Sequence, residues 1–370
     1  MIFWWSIAVV AYVYAMYPLL VAGWARLHAR PVRRAAIGSA DGAPSLGVSV
    51  VIAARNEARR LPARVRNLLA QDYPGPLQIV VVSDGSADAT RAALAPFGDR
   101  VELLEIQASG KPAALNAGVA RARHDLLLFA DARQTFAPDA VRRLAENFAD
   151  PEVGAVTGEL RLDCEMGTAS LQSTMADSVG AYWRFEKWLR RHESAIWSTL
   201  GATGAIYAMR RSLWRPLPPA TLLDDVLAPM RVVLAGSRVV FDERATAYDR
   251  VERDAAGERR RKVRTLAGNY QIVALEPALL NPLRNRVWLQ FVSHKLGRLA
   301  VPYAMALALV SNVALAPAGI LYMAALAAQL AFYALAVYGW KLEKQLAVPQ
   351  SFDARAREPE RFAPPNRMPG

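Results

Sequence analysis

The chain has one cysteine, Cys164, in 370 residues. A lone thiol excludes an internal disulfide framework and a thiolate metal cluster. Histidine is scarce too, with four in all and none within motif distance of Cys164, so no cysteine–histidine pair is indicated. Cys164 reads as a semi-buried thiol. Acidic residues are outnumbered, 33 against 45 Lys and Arg, for a formal charge of +12. No nucleic-acid motif accompanies that surplus, so nucleic acid is not the expected partner. No internal repeat is found. Charge is missing altogether from residues 2–25, "IFWWSIAVVAYVYAMYPLLVAGWA". A cleaved signal peptide needs a positive leading region and a shorter apolar core, and neither is present.

At about 1.5 Å per residue, residues 2–25 can cross a bilayer core of about 30 Å. Trp4, Trp5 and Trp24 sit near the ends of this run, where aromatic belts belong. It reads as an uncleaved anchor. Two further apolar runs, 299–316 and 320–340, are separated only by Pro317–Gly319 and read as a helical hairpin. Their alternative is a buried helix pair of a soluble domain. Arg26, Arg30, Arg33 and Arg34 follow the first run; Arg284, Arg286, Lys295 and Arg298 precede the second; Lys341 and Lys344 follow the third. Basic flanks mark a cytoplasmic face, which places the middle of the chain inside and Met1 outside. The expected organisation is an anchor at 1–25, a basic linker at 26–45, and a soluble-type domain at 46–280. An amphipathic interfacial helix at 281–298, spans at 299–316 and 320–340, and a disordered tail at 341–370 follow.

Strand-like runs at 48–53, 77–83, 101–106, 126–130 and 153–156 alternate with helix-like stretches at 57–71, 86–95 and 111–123. That order predicts an α/β domain with an open, mostly parallel sheet. Ligands of such sheets bind beyond the carboxyl ends of the strands. Four runs end in polar residues: "ARNE" with Arg55, Asn56 and Glu57; "SDGSADAT" with Asp84; "SGKPAALN" with Gly110, Lys111 and Asn116; and "FADARQ" with Asp131. In the second, Ser86 is expected to cap the next helix. Carboxylates can read sugar hydroxyls and base edges, and a lysine near a helix N-terminus can hold phosphate. Each signal alone is an ordinary turn. Four in succession are not.

These segments resemble the inverting family-two glycosyltransferases of GT-A fold, which include the cellulose, hyaluronan and poly-N-acetylglucosamine synthases. The resemblance covers residues 46–271. "VSVVIAARNEA" is similar to the family's first strand and nucleotide-binding loop, with Arg55, Asn56 and Glu57. "VVVSDGSADAT" is similar to the Asp-Asp-Gly-Ser-x-Asp segment, with Ser83 for the first acid and Asp84 retained toward the nucleoside. "GKPAALNAG" places Lys111 near the nucleotide. "FADARQ" resembles the Asp-x-Asp motif, with Arg133 where the second acid stands. "GATGAIYAMRR", with Gly204, resembles the acceptor region. "LLDDVLAPM" aligns Asp225 with the family's catalytic base, preceded by Asp224. "RKVRT" retains only Arg264 of Gln-x-x-Arg-Trp.

The resemblance implies a nucleotide-sugar donor, of the UDP type, and a glycan or lipid-linked acceptor at the cytoplasmic face of a bacterial-type inner membrane. It also implies Mg2+ or Mn2+ on Asp131. Arg133 leaves two expectations: it shares the diphosphate charge, or it faces away while Asp131 holds the ion with the donor's oxygens. A single-sugar transferase and a processive synthase both fit, as do two readings of other classes: a non-catalytic partner of a synthase, and a nucleotidyltransferase. "AYWRFEKWLRRHES" reads as a helix with a packing or membrane-facing aromatic side.

Overall fold

The computed structural model describes residues 1–35, 46–163, 172–250 and 255–346. Cys164, residues 36–45 and the tail beyond 346 lie outside the described residues. Helix α1 (Ile2–Ala11) passes through a wider π-type turn, Tyr12–Met16, into α2 (Tyr17–His28). Pro18 lacks the N–H that would continue the α ladder, and the widening lies just before it. The domain follows with β1 (Val48–Ala54), α3 (Leu61–Leu69), β2 (Leu77–Asp84), α4 (Thr90–Leu94), β3 (Glu102–Ile106), α5 (Lys111–Arg121) and β4 (Leu126–Ala130). Then come β5 (Thr135–Phe136), α6 (Ala140–Glu146), β6 (Val153–Asp163), α7 (Gln172–Ile196), β7 (Ile206–Arg210), α8 (Asp224–Leu234), β8 (Arg238–Arg250) and α9 (Ala255–Leu275). The chain closes with α10 (Trp288–Gln290), α11 (Gly297–Leu315) and α12 (Ile320–Leu346).

The eight strands form one sheet in the order β3-β2-β1-β4-β7-β6-β8-β5. β3, β2, β1 and β4 run parallel, β7 is antiparallel to both β4 and β6, and β6 runs parallel to β8. The result is a mixed α/β domain on an open, mostly parallel sheet. The two-residue period of the strands splits their side chains between two cores. Leu127 and Phe129 of β4 join Val51, Tyr207 and Met209 on one face, beneath α5, α7 and α8. Leu126, Leu128 and Ala130 join Val50, Ile52 and Ile206 on the other, against α3 and α6. Each fully buried Leu or Ile contributes roughly 1.5–3 kcal/mol relative to exposure.

Two expected helices begin later than their sequences suggest. Between β1 and α3, residues 57–60 form a turn in which the Glu57 carbonyl accepts the N–H groups of Arg60 and Leu61. Between β2 and α4, Ser86 is not a helix cap, which corrects the expectation. Its Oγ instead accepts the Asn56 N–H (3.0 Å), while Asn56 Oδ1 accepts the Ala87 N–H (2.9 Å) and Asp88 Oδ2 the Ala58 N–H (2.8 Å). Side chains that compete for backbone groups favour turns over helix, and here they tie two loops together.

Among the described residues, three helical segments are long and apolar enough to cross a membrane: Ile2–His28, Trp288–Ala318 and Ile320–Leu342. The second is continuous from α10 through α11, so the "FVSHKL" stretch belongs to the same helix as the apolar run after it. Leu19, Leu20, Leu321, Phe332 and Leu335 are exposed on these segments. Such faces suit a lipid solvent rather than water. The junction with the domain is polar and closed. Tyr17 donates to Glu193 of α7 (2.6 Å), His294 Nδ1 lies 2.8 Å from the same carboxylate, and Arg298 pairs with Glu186 (2.6 Å). Buried polar groups need such partners. α7 is thereby fastened to the first and second apolar segments.

Candidate active site

The carboxyl ends of β2, β1 and β4 open on one edge of the sheet. Because β7 is antiparallel to β4, with Ile206 opposite Ala130, the loop leading into β7 reaches the same edge. Topology thus gathers the strand-end motifs and the "GATGA" loop at one edge of the sheet.

Asp84, the last residue of β2 and buried, accepts N–H groups from Ser109 (2.6 Å) and Gly110 (3.0 Å). Gly110 stands at φ 89°, a left-handed conformation that favours glycine, and α5 starts at the next residue. Asp84 therefore shapes the turn that aims Lys111. The Lys111 ammonium lies 3.4 Å from Asp131 Oδ1 and 3.3 Å from Asp224 Oδ2. Burial disfavours that ammonium, but Asp131, Asp224 and Asp225 outweigh it and hold its pKa above the ordinary lysine value.

Asp225 is the second residue of α8, where a carboxylate suits the helix dipole. Four residues on stands Pro229, which has no N–H to give to the Asp225 carbonyl. That carbonyl instead accepts the Ala202 N–H at 2.7 Å. A proline inside the helix therefore attaches the glycine-containing loop to the candidate base. The loop is also held by Thr203, whose N–H goes to Thr157 Oγ1 (2.8 Å) and whose Oγ1 accepts from Arg190 (2.8 Å). Gly204 lies directly on the Asp225 carboxylate. Burial, then the adjacent Asp224, raise the Asp225 carboxyl to about 6, against the pull of Lys111 and Lys295.

Arg133 is turned to β8, where its guanidinium pairs with buried Asp249. Gln134 donates to the same carboxylate at 3.0 Å. β5 pairs Thr135 with Tyr248, and this register brings Arg133 to Asp249. Asp131 is left beside Lys111, with 39% of its side chain exposed. Among the described residues, no group of three or more His, Cys, Asp or Glu gathers to hold a metal ion. The donor set fits a divalent cation that takes one protein carboxylate and completes its shell with diphosphate oxygens and water.

Asn56 adopts φ 58° and Glu57 pairs with Arg60 at 3.0 Å, so both shape the loop after β1. Arg55 and Arg264 are exposed, and neither side chain is bonded within the described residues. Arg264 lies one turn before Gly268, on the α9 face that meets Leu223. A β-carbon at Gly268 would come within 2.4 Å of that side chain, and Gln271 accepts the Leu222 N–H at 2.8 Å. The loop entering α8 is thus packed by α9.

Three residues around the site escaped the sequence reading. Tyr207 sits inside the quoted "GAIYAMRR" and stacks on Phe129, with ring centroids 4.7 Å apart. Its hydroxyl is buried without a hydrogen-bond partner among the described residues. Burial and the three carboxylates Asp224, Asp225 and Asp131 keep the phenol protonated. Arg190 and Lys295 were read as part of an aromatic helix and a basic flank. Only the packing of α7 and the helix Trp288–Ala318 against the domain brings Arg190 to Thr203, in the loop bonded to Asp225, and lets the Lys295 charge act on the Asp225 carboxyl.

Residues 49–215 match the family model described as Glycosyl transferase family 2. The poly-beta-1,6-N-acetyl-D-glucosamine synthase of Staphylococcus aureus (strain COL) is 23% identical over 239 residues, 61% of this chain and 55% of that protein. The synthase of the same description from Staphylococcus epidermidis is 22% identical over 254 residues, 66% of this chain and 60% of that protein. The chain spans a little over half the length of these curated relatives. A mannosyltransferase from Pyrobaculum calidifontis, solved in complex with GDP-Man and Mn2+, shares 23% identity and a TM-score of 0.69, covering 94% of this chain and 97% of that one. Fold, strand-end motifs and family match agree: residues 49–215 are similar to Glycosyl transferase family 2, and the fold is of the GT-A type.

Proposed function

We propose that this chain is a membrane-anchored inverting glycosyltransferase that takes a sugar from a nucleotide sugar, of the UDP type, to a glycan or lipid-linked hydroxyl at the cytoplasmic face. The observation that carries the reading is the Asp131–Lys111–Asp224 bridge, with Asp225 adjoining it. It unites the donor-side strand end with the helix bearing the candidate base. Asp225 takes the acceptor proton, the acceptor oxygen attacks the anomeric carbon, and the bond to the nucleoside diphosphate breaks on the opposite side. A single base serves, and no covalent intermediate is needed. Lys111 would offset the leaving diphosphate's charge, and a carboxyl raised to about 6 is a fit proton acceptor near neutrality. Asp131 would hold Mg2+ or Mn2+, which when bound would supply further positive charge for the diphosphate. Asp84, Asn56 and Glu57 would shape the nucleoside side of the site. Arg55 and Arg264 remain candidates for donor contact from its rim.

A processive synthase is the second reading, favoured by the names of the curated relatives. The test is nucleoside diphosphate release by the detergent-purified full chain across UDP- and GDP-sugars, with product length measured. Release with addition of one sugar supports the first reading, and polymer supports the second. Diphosphate released from a nucleoside triphosphate would identify a nucleotidyltransferase. No turnover of any donor would identify a non-catalytic partner.

A further inference from the structure

A cavity of about 390 Å3 opens at the end of α8 remote from Asp225, lined by Arg215, Leu234, Glu276, Ala278 and Arg284. That volume falls within the range of small-molecule sites, roughly 300–1,000 Å3. Asp225 and Leu234 stand nine residues apart on one helix, about 14 Å at the α-helical rise. β7 leads away from the candidate active site, from Ile206 to Arg210, and Arg215 follows its outer end. The cavity is therefore separate from the donor side. Glu276, the acid in its lining, is already engaged. It accepts from Arg231 of α8 at 2.9 Å, and Arg231 also donates to the Pro216 carbonyl at 3.0 Å. Arg215 and Arg284 are exposed, and neither guanidinium has a hydrogen bond or ion pair among the described residues. The lining thus keeps two positive charges that its own acid does not cancel. The cavity also borders the candidate span Trp288–Ala318. Arg284 stands four residues before that segment, and the Trp288 indole N–H donates to the Leu280 carbonyl at 2.9 Å. Beside the lining, Leu280 is exposed and Leu283 is 95% exposed. Bare leucines next to unpaired arginines suit the boundary between acyl chains and headgroups.

We propose that this cavity is a second anion site, which takes a phosphate group through Arg215 and Arg284. The proposal goes beyond the transferase reading and does not depend on turnover. Phosphate offers oxygens to both guanidiniums, and such charge-assisted bonds are the strong class of hydrogen bond. A phosphodiester of net negative charge, as in the phosphatidylglycerol headgroup, matches the two arginines, whereas choline would add a cation beside them. The exposed Leu280 and Leu283 favour a lipid as the carrier of the phosphate. A soluble phosphate would make the same two contacts and leave both leucines in water. Once filled, the site would bridge the segment after β7 and the approach to the span, so that an anionic lipid would seat the domain on the membrane.

The test uses the full chain purified in detergent. Native mass spectrometry follows retention of added phosphatidylglycerol or phosphatidylcholine, and titration calorimetry follows inorganic phosphate. The wild-type chain should hold phosphatidylglycerol at least ~10-fold more tightly than phosphatidylcholine, and Arg215→Gln and Arg284→Gln should each weaken that retention at least ~10-fold. Arg286→Gln should not, because its guanidinium lies over the Trp197 ring, 4.9 Å from the centroid, and is outside the lining. Ala278→Trp keeps every charge but fills the cavity, and it should lose the lipid as well. None of these four side chains is buried, so each variant should keep the wild-type Tm. Retention of phosphatidylglycerol with no heat from inorganic phosphate assigns the site to a lipid headgroup. Heat from inorganic phosphate that vanishes in Arg215→Gln, with no preference between the lipids, keeps the site and assigns it to a soluble phosphate. Binding of neither probe by the wild type would overturn the proposal. So would an equal loss in Arg286→Gln, which would reduce the effect to general surface charge, or full retention in Ala278→Trp.

Discussion

Gly204 and Asp225 touch so closely that a β-carbon on Gly204 would lie 2.9 Å from Asp225 Oδ2 and 3.3 Å from its Cβ. Only a residue without a side chain leaves the carboxylate where the structure has it. Gly204→Ala should therefore displace Asp225 and lower kcat by at least ~10-fold, since displacements of about 1 Å are costly in catalysis. Donor KM should stay near the wild-type value. Steady-state kinetics with near-normal kcat would show that the Asp225 position is not critical.

The raised Asp225 carboxyl sets the acid limb of the pH profile. A base works ionised, so kcat/KM should rise with pH up to about 6 and level off above it. Below that point the rate should fall roughly tenfold per unit. Lys111 opposes the rise, so Lys111→Met should move the limb to higher pH as well as weaken donor binding. A profile flat from pH 5 to pH 8, with chemistry rate-limiting, would exclude a base of this kind.

Arg133 faces Asp249, so its loss should be felt in stability before activity. Arg133→Ala leaves the buried Asp249 with Gln134 alone, at a cost on the order of 1–3 kcal/mol. The variant should show a lower Tm, partly recovered by Asp249→Asn in the double variant, and should lose less than ~10-fold in kcat/KM. Excess chelator should abolish transfer, and Mg2+ or Mn2+ should restore it. Full activity in chelator together with a severe Arg133→Ala defect would instead assign the diphosphate charge to Arg133.

Much of this was legible in the sequence for identifiable reasons. The strands of the parallel half are continuous apolar runs, and their ends are set by polar residues that cannot stay in the core. β4 stops at Ala130 because Asp131 must leave it. Helix starts were less legible. Ser86 and Glu57 have the residue types of a helix start, but Ser86 is occupied by Asn56 of another loop and Glu57 by Arg60 of its own turn. The roles of Arg190 and Lys295 depend on contacts between segments about a hundred residues apart, and no local pattern carries that. Pro229 gives no sign in the sequence that its missing N–H leaves the Asp225 carbonyl to Ala202.

Topology is a separate expectation, carried by the basic residues that flank the apolar segments. The central domain and Gly370 should both be cytoplasmic. A reporter fused after Gly370 that is active only outside the cytoplasm would contradict it.

The central claim is that Asp225 is the base. Asp225→Asn conserves shape, keeps the carbonyl for Ala202 and removes a charge that burial and Asp224 disfavour. At pH 7–8 the variant should therefore fold and show no loss of Tm. The measurement is single-turnover sugar transfer beside equilibrium binding of the nucleotide sugar. Binding should be retained while the transfer rate falls by at least ~10²-fold, the lower range for loss of a general base. Near-normal transfer by Asp225→Asn would remove Asp225 from the role and the account with it.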